Sequence, residues 1–272
     1  MSLPDASVRL FATDVEDTIL GDAVAAKAFQ VTWDSLEPDQ RPLLVYNSGR
    51  CVREVQWLVL ERRIPAPEFI IGALGTEVYD PVDPHGGDDF HAALDAGWDS
   101  AIVDGIVNTI SGVRMQPEEF LSARKRSWHW PRASAVEIAH LKEQFEAAGL
   151  DVTVCYTSGV FLDVIPRKAG KGNALAWLCR TIGVQLNSVL VAGAGANNAS
   201  MFALPDVRGI VVGNASSDLF AAIVGFKPLI TRESMADGVL AGLRHYEVVS
   251  EVPSPGTPHS GVSSEASHAA AQ

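Results

Sequence analysis

At 272 residues the chain is long enough for one large α/β domain, or for a core domain that carries an insertion. Hydrophobic residues make up 47% and charged residues 20%, which excludes a mostly disordered chain. A formal net charge of -12 argues against DNA, RNA or an anionic membrane as a partner, because little in such a surface would release phosphate counterions.

In chain order, VRLFAT (8–13) and PLLVYNS (42–48) read as buried strands: each is apolar without alternation and ends in turn residues. The amphipathic stretch VREVQWLVLERR (52–63) follows as a helix, and FIIGALG (69–75) as a third strand. After Tyr79 comes DPVDPHGGDD, a Pro, Gly and Asp cluster that marks a crossing between domains. Beyond it, SAVEIAHLKEQFEAAG (134–149) reads as a strong helix, and DVTVCYT (151–157) and VFLDVIP (160–166) read as a hairpin about a Ser-Gly turn. The pattern then returns with the helix GNALAWLCRTIG (172–183) and the strands SVLVAG (188–193) and GIVVGN (209–214). Alternation of this kind predicts βαβ units and a parallel sheet covered on both faces, interrupted by an antiparallel insertion with its own helix. The expected division is a core over 1–81 and 159–250, a cap over 82–158, and a disordered tail over 251–272, the last rich in Ser, Pro, Gly and Ala. The three cysteines, Cys51, Cys155 and Cys179, are widely spaced and odd in number, so neither a disulfide framework nor a CxxC metal site is expected. With no signal-peptide pattern and no window of about 18 apolar residues, the expectation is a soluble cytoplasmic protein.

Four strand ends or helix starts carry the chemistry. FATDVEDTILGD (11–22) ends a strand at Asp14, with Glu16, Asp17 and Thr18 just beyond; VYNSGR (45–50) ends another in a hydroxyl, a glycine and an arginine. PRKAGKGNAL (166–175) brings Lys171 to a helix start, and VLVAGAGANNASM (189–201) is a strand feeding a glycine-rich loop. A carboxylate at the end of the first strand can attack a phosphoryl group, with a second carboxyl two residues on exchanging the proton of the leaving alcohol. A hydroxyl and backbone amides can hold phosphate oxygens, and a lysine at a helix N-terminus offsets the charge of phosphate and carboxylates together. Taken alone, Gly193, Gly195 and Asn197 come close to the first two glycines of a dinucleotide fingerprint. That loop lies late in the chain, however, and no ribose-binding acid stands about 20 residues on.

On these residues the sequence resembles the haloacid dehalogenase superfamily, and more narrowly its sucrose-phosphate phosphatase branch. The likeness rests on DVEDT with Gly21-Asp22 behind it, YNSGR, GALGTEVY (72–79), KGNAL (171–175) and VVGNAS (211–216), and covers roughly residues 8 to 246. It implies a Rossmann-like parallel-sheet core with an inserted α/β cap, and hydrolysis of a sugar phosphate through an aspartyl-phosphate with Mg2+. By resemblance Asp14 is the nucleophile, Glu16 the acid/base, Ser48 and Gly49 phosphate ligands, and Lys171 the charge-neutralising lysine. Arg50, Lys125 and His129 would contact the substrate, and Asp14, Glu16 and Asn198 would face the metal. Two departures stand out. Glu16 replaces the usual Asp, and its extra methylene moves the carboxyl by roughly 1 Å, a shift that can cost about 10²-fold in rate. Ala194 and Asn198 replace the two acids of the family's metal loop, so weak Mg2+ binding and altered or reduced activity are expected. The rival expectation is a catalytically impaired relative that binds a sugar phosphate or a protein partner.

Each of these residues also has a plainer reading. Asp14 can cap a turn, and NSG is a common turn string. The basic and aromatic segment SARKRSWHWPR (122–132) reads more readily as a solvated edge strand with aromatic packing than as a sugar-binding surface with Trp faces against a ring.

Overall fold

The computed structural model describes residues 7–250, so the reading of 251–272 as a disordered tail lies outside the described residues. Core strands β1 (Leu10–Thr13), β2 (Leu43–Asn47) and β3 (Phe69–Gly72) are separated by helices α1 (Ala23–Asp34) and α2 (Val52–Leu60). Strand β4 (Glu77–Tyr79) returns antiparallel to β3. The insertion holds α3 (Asp88–Leu94), α4 (Ser100–Val107), β5 (Arg114–Met115), β6 (Arg126–His129), α5 (Ala135–Ala147), β7 (Val152–Thr157) and β8 (Phe161–Pro166). The core resumes with α6 (Lys171–Thr181), β9 (Val189–Gly193), α7 (Ala199–Phe202), β10 (Arg208–Val211), α8 (Ser217–Ala222), β11 (Leu229–Ile230) and α9 (Met235–His245).

The core sheet runs β11-β10-β9-β1-β2-β3-β4, parallel except for β4. From β1 the chain builds outward to one side, and after the insertion it returns at β9 and builds to the other. The carboxyl ends of β1, β2 and β9 therefore meet at a topological switch point, where open parallel sheets hold their ligands. Alternate side chains of each strand serve opposite faces. Leu10, Ala12, Val45 and Val191 pack with Leu175, Leu178 and Phe202 on one face; Phe11, Leu44, Tyr46 and Leu190 pack with Phe29, Trp33 and Leu243 on the other. Both faces are covered, which is why these strands read as unbroken apolar runs.

The cap is a four-stranded antiparallel sheet, β5-β6-β8-β7, backed by α4 and α5 over a core that includes Trp128, Trp130, Phe145 and Leu162. Helix α5 begins with a capping box, Ser134 and Glu137 bonding each other's backbone amides. Strand β8 pairs along its length with β7 and β6, so the cap extends to Pro166 and the expected boundary at 158 moves eight residues on. The hairpin cannot be divided between sheets, because the β7–β8 ladder is its main source of backbone hydrogen bonds. The turn between them carries positive φ at Ser158 (54°) and Gly159 (66°). Four residues, 167–170, then lead directly into Lys171. No helix among the described residues is long and apolar enough to cross a membrane, and Cys51, Cys155 and Cys179 are free thiols.

Candidate active site

Asp14 lies one residue past β1, its amide donating to the carbonyl of Ala192 in β9 at 3.0 Å. Its Oδ1 accepts from Lys171 Nζ at 2.8 Å and from the Val15 amide at 2.8 Å, and its Oδ2 accepts from Asn198 Nδ2 at 2.8 Å. Lys171 also donates to Asn198 Oδ1 at 2.7 Å, closing a three-residue ring. Lys171 is 1% exposed and Asn198 fully buried, so this charge pair is screened little by solvent. Two features set the lysine in place. Asn47, at the end of β2, donates to the Lys171 carbonyl at 2.9 Å. The turn after β3 presses Gly75, with φ of 83°, against Gly170, where a Cβ would come within 2.4 Å of the Gly170 carbonyl. A side chain at 75 would therefore be strained and would displace the start of α6.

One strand over, Ser48 is fully buried after β2 and donates to Glu16 Oε2 at 3.2 Å, while its oxygen accepts the Arg50 amide at 3.0 Å. The other oxygen of Glu16 is ion-paired with the Arg50 guanidinium. Glu16 thus sits between the hydroxyl and the guanidinium that the sequence assigns to phosphate and substrate. Gly49 faces Leu74 and Asn197, whose Nδ2 lies 3.9 Å from where a Cβ would stand. Asp14 and Lys171 are brought into direct contact, and Ser48, Glu16 and Arg50 form a second group beside them.

The cleft above them has a volume of about 360 Å³. Its floor includes Asp14, Glu16 and the loop from Ala194 to Asn197, and its cover includes Thr157 and Ser158 from the β7–β8 turn. The cap therefore overhangs the switch point, as an inserted lid should. Ser48, Arg50 and Lys171 stand just behind its lining, in contact with Glu16 or Asp14, whereas Lys125 and His129 neither line it nor touch those two carboxylates. Lys125 is buried in the cap, donating to the Phe120 carbonyl at 2.9 Å and standing 3.5 Å from Asp163, and His129 packs in a tilted contact with Phe161 at 5.5 Å between centroids. Strand β6 is flanked by β5 and β8, so it is not an edge strand; Trp128 and Trp130 fill the cap core and offer no face to a sugar. Its aromatic packing agrees with the plainer reading of that segment.

Sequence reasoning gave Asn47 no role and weighed Asn197 only as part of a dinucleotide-like loop. Each has a buried side-chain oxygen with no partner, and Asn197 lies in the cleft lining. Asparagines in turn strings carry little signal, since turn chemistry alone accounts for them.

A Mg2+ ion would need hard, anionic oxygens open to it. Here both oxygens of Asp14 are taken by N–H donors, Asn198 Oδ1 is taken by the lysine, and Ala194 contributes a methyl to the apolar cluster beneath the sheet. Asn197 Oδ1 is unpartnered but neutral. Among the described residues no group of three or more His, Cys, Asp or Glu side chains is placed to hold a metal. The donor set does not fit the ion, and Asn198 in particular is committed elsewhere.

A parallel sheet with its switch point at β1, an inserted antiparallel cap and an aspartate at the end of β1 give the fold seen in solved phosphatases of the haloacid dehalogenase superfamily. The chain belongs to the sucrose-6F-phosphate phosphohydrolase family, whose sequence model matches residues 7–247. It is 35% identical over 240 residues to mannosylfructose-phosphate phosphatase of Agrobacterium fabrum, a match that spans 88% of this chain and 97% of that protein. Sucrose-phosphatase 2 of Nicotiana tabacum is 29% identical over 256 residues, 89% of this chain and 60% of the longer plant protein. The structure of the sucrose-phosphatase from Synechocystis sp. PCC6803 in complex with sucrose and phosphate has a TM-score of 0.79 at 24% identity, covering 89% of this chain and 99% of that one. At that identity it speaks to the fold alone.

Proposed function

We propose that the cleft binds the phosphate ester of a small sugar and hydrolyses it through Asp14, at a rate well below that of a site with an intact metal shell. The observation that carries this reading is the Asp14–Lys171 contact at 2.8 Å, at the end of the central strand and beneath the β7–β8 turn. The names of the relatives describe phosphate esters of fructose-containing disaccharides, and a disaccharide phosphate is the substrate class proposed. In the first step an Asp14 carboxylate oxygen bonds to phosphorus as the bond from phosphorus to the sugar oxygen breaks, and that oxygen takes a proton from the Glu16 carboxyl. Water then attacks the aspartyl-phosphate, returning a proton to Glu16 and freeing Asp14 and inorganic phosphate. Lys171 holds Asp14 in place and offsets the gathered negative charge. Ser48 and Arg50 meet the phosphate oxygens once Glu16 releases them. No step is routed through a metal.

A second reading, binding without turnover, is favoured by one arrangement: three N–H donors quench the Asp14 carboxylate while Glu16 is tied to both Ser48 and Arg50. Phosphate release measured across a panel of sugar phosphates separates the two. The proposal expects release by the wild type at least about tenfold above Asp14→Asn; equal rates leave the binding reading alone.

A further inference from the structure

We propose that the cleft holds the phosphate of its ligand without a divalent cation, the Lys171–Asn198–Asp14 ring standing where a cation would otherwise bridge; this rests on the sugar-phosphate reading above. The orientation of the Asn198 amide is fixed by chemistry. An ammonium can only donate, so the atom facing Lys171 Nζ at 2.7 Å is the oxygen, and the NH2 group faces Asp14 Oδ2 at 2.8 Å. A cation drawn to Oδ2 would meet an N–H and would have to displace a fully buried amide that has no other partner for it.

Charge points the same way. Asp14 is balanced by Lys171 and Glu16 by Arg50, so these two pairs add no net charge to a cleft whose lining also carries Asp17 and Asp218. Acids at 194 and 198 would add two negative charges, the amount a dication would neutralise. Removing both acids and the dication together leaves the balance unchanged, and a phosphate dianion meets no greater repulsion for the loss. Ala194 has closed its part of the site: it is buried, its methyl lies in the apolar cluster and its carbonyl accepts the Ser216 amide at 2.9 Å. Of the three donors of the Lys171 ammonium, Asp14 and Asn198 take two; at 1% exposed, the lysine stands behind Asp14 and acts on the cleft through that carboxylate and through its charge.

The test is calorimetric titration of the full chain with inorganic phosphate and with sucrose 6F-phosphate, in millimolar EDTA and in millimolar MgCl2. The expected result is binding in both buffers with dissociation constants within about twofold of each other. Tightening of about tenfold or more in Mg2+ overturns the inference and leaves the sugar-phosphate reading intact. Absence of binding in both buffers removes that reading and the inference with it. Asn198→Asp supplies the complementary arm: the added carboxylate should weaken binding in EDTA by about tenfold or more, and Mg2+ should restore it and raise the melting temperature of this variant but not of the wild type. A variant that binds phosphate in EDTA as well as the wild type does overturns the role given to the amide. Should the variant fail to fold, the two wild-type titrations still decide the inference.

Discussion

Lys171 has its ammonium almost wholly enclosed between a carboxylate and an amide, and that burial governs what its removal does. Lys171→Met should cost about 3–5 kcal/mol in urea unfolding, because it leaves the Asp14 charge buried without a counter-charge. Adding Asp14→Leu to it should recover part of that loss; a double variant that loses the full sum of the two single changes would show that the pair is not energetically coupled. At this scale the sequence was legible where a residue type is unusual for its position. A lysine at a helix start runs against the helix dipole, and an aspartate ending an apolar strand calls for a partner. It was not legible where the residue type is ordinary for its setting. Asn198 could be recognised as a lost acid, but its amide bridging lysine and carboxylate depends on two side chains 27 and 184 residues away in the chain. Lys125 and His129 were assigned by likeness to a segment whose burial the sequence does not display, and the structure sets both outside the cleft lining.

Among the elements, the long apolar strands β1, β2, β3 and β9 were plain in the sequence because both of their faces are buried, and α5 because its capping box and apolar spacing agree. Strands β4, β5 and β11 escaped notice: at two or three residues they are too short for any period to show, and they exist because a neighbouring edge offers hydrogen bonds. The misplaced cap boundary has a similar cause, since a Ser-Gly turn marks a hairpin without saying which sheet owns it. One seam between elements can be tested by pH. His91 on α3 accepts the Val78 amide of β4 through Nε2 at 3.1 Å, and burial, with Arg124 nearby, holds its pKa below the usual 6.5. The unfolded chain then takes up the proton more readily than the folded one, so this contribution to stability is full above pH 6.5 and is lost as pH falls toward the folded pKa. The melting temperature should therefore drop more steeply below pH 6.5 in the wild type than in His91→Gln. Parallel curves for the two proteins would show that this contact does not titrate.

Taken whole, the molecule sets a strongly acidic exterior around two charge-balanced pairs, Asp14 with Lys171 and Glu16 with Arg50. A phosphate dianion approaching a chain of net charge -12 is repelled once it comes within about a Debye length, so its association rate should rise with ionic strength, by roughly twofold or more from low to physiological salt. Stopped-flow binding checks this, and a rate that falls with salt would show that the local field of Lys171 and Arg50 outweighs the exterior. The path of the chain into the cleft has its own consequence. The cap sheet ends at Pro166 and the helix bearing the lysine begins at residue 171, with Gly75 wedged against the join. So short a tether has almost no slack. Tilting the roof of the cavity would tug on the residue that supplies its central positive charge, so admitting a guest and aiming that charge at it become a single mechanical event.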